Sequence, residues 1–131
     1  MRAMTADLTL NDVANRMFDA IQRGEVGALA ALWSDDVTVW RQGGGRDRDK
    51  QRALKVIEWF VDATVDRRYE VLDRQLFDGG FVQQHNVHAS AKNGTPLTFR
   101  ACLLVKVDSD GLVTRIDEYL DPADLTLLMQ P

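Results

Sequence analysis

The sequence predicts an α+β fold, with three helices followed by a curved antiparallel sheet of four long strands and one short one. Three observations predict it. Apolar residues recur at helical spacing through most of residues 8–62. From Tyr69 onward the period changes to two. The turn signals Asp78-Gly79-Gly80, Asn93-Gly94 and Asp108–Gly111 then cut the second half into strands. Helices grouped ahead of strands indicate α+β and not an alternating α/β arrangement.

Each element has its own signal. Asn11 is placed to cap a first helix whose apolar stripe is Val13, Ala14, Met17, Phe18 and Ile21, and Gly24 stops it. Val26, Leu29, Ala30 and Leu32-Trp33 suggest a second, short helix. Ser34-Asp35-Asp36 reads as a turn before a short strand, Val37–Trp40. Gly43-Gly44-Gly45 does not follow the phosphate-loop pattern and reads as a mobile rim. Asp47 or Asp49 opens a third helix with Ala53, Val56, Ile57, Phe60 and Val61 inside. Tyr69, Val71 and Leu72 begin a strand. Phe81–Ala91, Leu97–Val107 and Leu112–Leu120 are the next three, Pro122 ends the last, and Asp124–Met129 is a helical turn.

The chain has 131 residues, the size of a single domain spanning 1–131. Its 16 Lys+Arg against 20 Asp+Glu give a net charge of −4, which argues against a nucleic-acid partner. No apolar run approaches the roughly 20 residues of a membrane span, and Met1–Leu10 lacks a signal-peptide core, so the cytoplasm is the expected location. Cys102 is the single cysteine, which excludes an intramolecular disulfide and a Cys-rich zinc site. His85-x-x-His88 is not a metal signature either, because strand parity sends the two rings to opposite faces. No metal and no cofactor are expected.

Hairpin register decides which side chains share a pocket. With Asn93-Gly94 as a two-residue loop, His88 faces Phe99, Asn86 faces Ala101, Gln84 faces Leu103 and Val82 faces Val105. An odd-length loop slips this register and exchanges His88 for His85. In the next hairpin, a two- or a four-residue loop puts Glu118 on the face of Ala101 and Leu103, with Ile116 and Leu120 beside it. That face is apolar and should meet the helices. The opposite face carries Arg100, Cys102, Leu104, Lys106, Arg115, Asp117 and Tyr119.

The segments AIQRGEVGALAALWSDDVTV and DSDGLVTRIDEYLDP, with the element order, resemble the nuclear-transport-factor-2-like superfamily, in particular its SnoaL-like and ketosteroid-isomerase-like members. The resemblance covers nearly the whole chain. It implies a cone, a curved sheet wrapped on three helices with a pocket at the wide end, and a homodimer through the outer sheet face. It also implies an open range of activities, from isomerases, dehydratases, epoxide hydrolases and cyclases to non-catalytic binders. At the positions where ketosteroid isomerases carry their Asp base, Tyr and Asp, this chain has Arg41 (or Trp40), Met17 and Leu103, so that catalytic set is not matched. Asp117-Glu118-Tyr119-Leu120-Asp121 is similar to the last-strand segment of epoxide hydrolases of this fold, with Glu118 at the catalytic carboxylate. The Arg and Asp partners of that carboxylate would fall near Gln84–His88 and are not preserved.

Two functional classes stay open. One is a cofactor-independent lyase, isomerase or hydrolase acting on an apolar cyclic metabolite. The other is a non-catalytic binding or dimeric interaction module. In the enzyme reading Glu118 moves a proton and His88 assists. Glu118 also reads as a structural carboxylate paired with Arg41 or His88, since low dielectric disfavours an unpaired charge. Gln84 and Asn86 would orient the ligand. Trp33, Trp40, Arg41, Trp59, Phe60, Phe99, Ala101, Leu103, Ile116 and Leu120 would line its pocket.

Overall fold

A computed structural model describes residues 4–129. Its order is α1 (Met4–Arg23), α2 (Val26–Ala31), β1 (Trp33–Arg41), α3 (Lys50–Ala63), β2 (Thr64–Phe77), β3 (Gly80–Ala91), β4 (Pro96–Val107), β5 (Val113–Leu120) and a terminal 3₁₀ turn (Pro122–Met129). The five strands form one sheet in the order β1-β5-β4-β3-β2. Three pairings are antiparallel, but β1 runs parallel to β5, so the sheet is mixed and not wholly antiparallel. Helix α3 and three strands separate β1 from β5, which gives the chain the long return that a parallel neighbour requires.

Helix α1 starts earlier than Asn11. That residue lies inside the helix, and its Oδ1 accepts a hydrogen bond from Arg74 Nη1 at 3.3 Å. The predicted stripe Val13, Ala14, Met17, Phe18 and Ile21 is buried against the sheet. Each large side chain of that kind stabilises the fold by roughly 1.5–3 kcal/mol. Gly24 ends the helix with φ +74°, its N–H donating to Ile21 O while Glu25 N–H reaches back to Ala20 O. Asp49 caps α3 by accepting from Arg52 N–H at 2.9 Å.

Ser34-Asp35-Asp36 belongs to β1 and is not a turn. Strand β2 begins five residues before Tyr69 and is bulged between Val65 and Arg68. The bulge turns Arg67 inward, where its guanidinium donates to Ile21 O, Val61 O and Thr64 O. One side chain thus satisfies carbonyls at the C-terminal ends of both α1 and α3.

The β3–β4 hairpin departs from the two-residue reading. Its loop is Lys92-Asn93-Gly94, closed by Ala91 N–H donating to Thr95 O and by Gly94 N–H donating to Ala91 O. Gly94 has φ +89°, the left-handed conformation of the third residue in such a loop. The odd loop shifts every pairing by one, so that His85 faces Ala101, Gln83 faces Leu103 and Phe81 faces Val105. In the β4–β5 hairpin Glu118 faces Leu103 and Leu120 faces Ala101, which puts Glu118 on the face that the sequence predicts.

Candidate functional site

The helices and the inner sheet face enclose a cavity that leaves about 50 Å³ to the centre of a water molecule. Its wall is mainly apolar: Met17, Phe18 and Ile21 from α1, Ala53, Val56 and Ile57 from α3, and Leu103 and Ile116 from the sheet. Trp33, Val39, Arg41, Arg48, Tyr69, His85 and Glu118 complete it. A second cavity of about 30 Å³ lies beside it, lined by Trp59, Phe60, Val87, Phe99, Leu120 and Leu125. The two share Arg41, Ile57, Tyr69 and Glu118, so those four residues form the partition between them.

An ion pair stands in that partition. Arg41 Nε donates to Glu118 Oε1 at 2.7 Å, with the two side chains 22% and 19% exposed. Both come from neighbouring parallel strands at directly paired positions. Behind them, Gln42 N–H donates to Glu118 O at 2.9 Å and fixes the strand ends. Tyr69 approaches from β2. Burial pushes its phenol well above the ordinary tyrosine value, and the nearby Glu118 carboxylate adds to the effect, so it remains an O–H at any ordinary pH.

His85 is buried beneath α1. Its ring makes edge contacts with Phe18, at a centroid distance of 5.2 Å, and with Tyr69, at 4.8 Å. Desolvation lowers its pKa to about 4 and keeps it neutral. Nδ1 lies 3.0 Å from Gln83 Nε2, and Gln83 Oε1 accepts from Arg74 Nε at 2.8 Å. Nε2 is buried with no hydrogen-bond partner among the described residues, as is Trp33 Nε1.

The glycine loop lies in the chain between Arg41 and Arg48, which both line the first cavity. Gly44 N–H donates to Arg41 O, and Gly43, at φ +85°, packs so closely on Pro122 that a Cβ there would clash. Arg115 secures the loop by donating to Asp47 Oδ2 at 2.7 Å, which holds the Asp47 carboxyl below its ordinary value. The loop is thus held at Gly43 and at Asp47, with open space around Gly45 between them.

The sequence-derived residues divide by face. Trp33, Arg41, Leu103, Ile116 and Glu118 line the first cavity, and Trp59, Phe60, Phe99 and Leu120 line the second. Ala101 is buried on the same face. Gln84, Asn86 and His88 are corrections, because the one-residue shift carries all three to the outer face. There Gln84 accepts from Arg100 at 2.7 Å, while Asn86 and His88 contact Glu70 at 3.3 and 2.8 Å. His88 therefore cannot assist Glu118. Trp40 is likewise on the outer face, since it alternates with the inward Arg41, and it packs on Tyr119 at 5.2 Å.

His85 and Gln83 are the residues of this region that the two-residue reading leaves out, while Tyr69 and Arg48 are cavity residues that the sequence analysis does not name as such. The alternation of β3 itself carries the missing signal. Phe81, Val87, Ala89 and Ala91 all fall on one face, and only Val82 is apolar on the other.

A family model for the SnoaL-like domain matches residues 14–116. No curated protein matches the chain. Among solved structures it is similar to PrhC from Penicillium brasilianum, with TM-score 0.80 and 17% identity over 92% of this chain and 85% of that one. A Mycobacterium tuberculosis LEH-like epoxide hydrolase gives TM-score 0.73 and 16% identity over 92% and 87% of the two chains. Another M. tuberculosis protein, solved in complex with estradiol-17beta-hemisuccinate, gives TM-score 0.74 and 14% identity over 88% and 95%. At these identities the structural neighbours share the fold, and the domain match fixes the family: the chain belongs to the SnoaL-like family of the nuclear-transport-factor-2-like superfamily.

Proposed function

We propose that this protein is a cytoplasmic enzyme that needs no cofactor and in which Glu118 moves a proton on a small, apolar, cyclic substrate. One observation carries the reading. The Arg41–Glu118 pair, 2.7 Å apart, sits between two apolar cavities where a substrate carbon can meet the carboxylate. A carboxylate is a competent base for a proton next to a carbonyl, and a guanidinium beside it stabilises the oxyanion that develops. Tyr69, held as the phenol, acts there as a hydrogen-bond donor and never as a base. The apolar walls supply the low dielectric in which such charges interact strongly. The steroid conjugate bound by one structural neighbour supports an apolar cyclic ligand class.

Deuterium incorporation into cyclopentanone in D₂O, followed by proton NMR, tests this. The protein should exchange the α-protons faster than buffer, and Glu118→Gln should lower its rate by about 10²–10⁴-fold, the usual contribution of a positioned base. Exchange at the buffer rate, or an unchanged rate in Glu118→Gln, overturns the reading.

A second reading, binding without turnover, is favoured by the same pair, because Arg41 already occupies one oxygen of the carboxylate at 2.7 Å. Dimerisation through the outer face belongs to both readings. It is supported by Trp40 stacked on Tyr119, which is 46% exposed on a face that no helix covers. Sedimentation should give twice the chain mass at micromolar concentration, and Tyr119→Arg should halve it.

A further inference from the structure

We infer that the larger cavity receives a carbonyl oxygen on the Nε2–H of His85, so that its ligand is an apolar ring compound carrying a ketone, aldehyde or ester group. The inference rests on the cavity being a small-molecule site, and it does not require Glu118 to catalyse anything.

A chain of hydrogen bonds fixes the position of the imidazole proton. Arg74 has donors only. Its Nη1 donates to Asn15 Oδ1 at 2.9 Å and to Asn11 Oδ1 at 3.3 Å, and its Nε to Gln83 Oε1 at 2.8 Å. Gln83 must therefore turn its carbonyl to Arg74 and its NH₂ to His85. An amide NH₂ can only donate, so Nδ1 of His85, 3.0 Å away, must accept. In a neutral imidazole this leaves the single proton on Nε2. Burial keeps the ring neutral, with a pKa of about 4.

The result is a built donor with nothing to donate to. Nε2 is buried and unpartnered in a residue that is 1% exposed. Native interiors rarely leave such a group unmet. Trp33, another residue of the cavity wall, carries a second donor, Nε1–H, that is buried and without a partner among the described residues. Both unmet groups are donors, so the polar atom of the ligand is an acceptor. Around them Met17, Phe18, Ile21, Leu103 and Ile116 make most of the wall apolar, with Arg41, Arg48, Tyr69 and Glu118 as its polar part, so most of the remaining ligand is hydrocarbon. A neutral imidazole N–H holds a developing oxyanion without surrendering its proton, which suits it to the carbonyl whose neighbouring proton Glu118 would take.

The test uses the intact chain and two probes of similar shape, cyclopentanone and methylenecyclopentane, which differ in one acceptor oxygen. In ¹⁵N-labelled protein at pH 7, His85 should show the Nε2–H tautomer. Cyclopentanone should shift the Nε2–H proton downfield and bind at least tenfold tighter than the hydrocarbon. His85→Phe should abolish that preference while Glu118→Gln keeps it, so that loss of catalysis and loss of carbonyl recognition are read separately. The Nδ1–H tautomer, equal binding of the two probes, or a preference that survives His85→Phe would each overturn the inference. So would a structure of the ketone-soaked protein in which Nε2 donates to an ordered water only. If His85→Phe does not fold, the tautomer and the two-probe comparison decide on the unmutated chain.

Discussion

Arg41 and Glu118 are 77 positions apart in the chain and directly opposite each other in the sheet, joined Nε to Oε1 at 2.7 Å. The contact depends on the parallel β1–β5 pairing, which brings the last inward residue of β1 against the carboxylate. Each side chain is mostly removed from water, so loss of one partner strands the charge of the other. Arg41→Met and Glu118→Gln should each destabilise the fold by about 1–3 kcal/mol, and the double variant by less than their sum. Urea unfolding of the four proteins measures the coupling, and additive effects would mean that the pair contributes nothing.

Tryptophan fluorescence should separate the faces of the sheet. Trp33 lines the larger cavity and Trp59 the smaller, while Trp40 stacks on Tyr119 outside. Entry of a small ketone should change the Trp33 emission, and Trp33→Phe should remove most of the response. Trp40→Phe should leave the response intact. A ligand response carried by Trp40 would place the site on the wrong face.

The helices, the five strands and the face of Glu118 are legible in the sequence because each rests on several residues in agreement. Val13, Ala14, Met17, Phe18 and Ile21 mark one face of α1 together, and no single residue decides it. The β3–β4 register rests on one loop, where a shift of one residue moves a whole strand through the sheet. Asn93-Gly94 fits a two-residue turn, but Gly94 serves instead as the third residue of a longer one. For that reason the sequence reading holds His85 only as the odd-loop alternative and puts His88 in its place. The parallel position of β1 is hidden for another: nothing local in Trp33–Arg41 records the direction of a neighbour 70 or more residues away.

Gly94 should therefore be sensitive for its backbone alone. A Cβ at this position meets nothing within 4 Å, yet φ is +89°. Gly94→Ala should cost about 1–2 kcal/mol from the left-handed conformation, and Gly94→Asn less. Chemical denaturation gives the ranking. An alanine variant as stable as the parent would show that the loop can rearrange, and with it the register that buries His85.

The stability of the protein should fall in mildly acidic solution because of His85. Its folded-state pKa is lowered to about 4 by desolvation, against 6.5 for an ordinary histidine. Between these values the unfolded chain binds a proton that the folded chain refuses, so unfolding gains as pH drops. The contribution is complete above pH 6.5, shrinks as pH falls toward 4, and is constant below that. The full difference is about 3 kcal/mol. Asp47 and Glu70 also have lowered pKa values, Asp47 through its hydrogen bond to Arg115 and Glu70 through its bond to His88. Those carboxylates lose their contribution only in more acidic solution, near and below their ordinary range, so the interval from pH 6.5 to 5 isolates the histidine. Urea midpoints measured across that interval should decline in the parent chain and stay flat in His85→Phe. The same decline in both proteins would assign it to another group and would mean that His85 accepts a proton without unfolding.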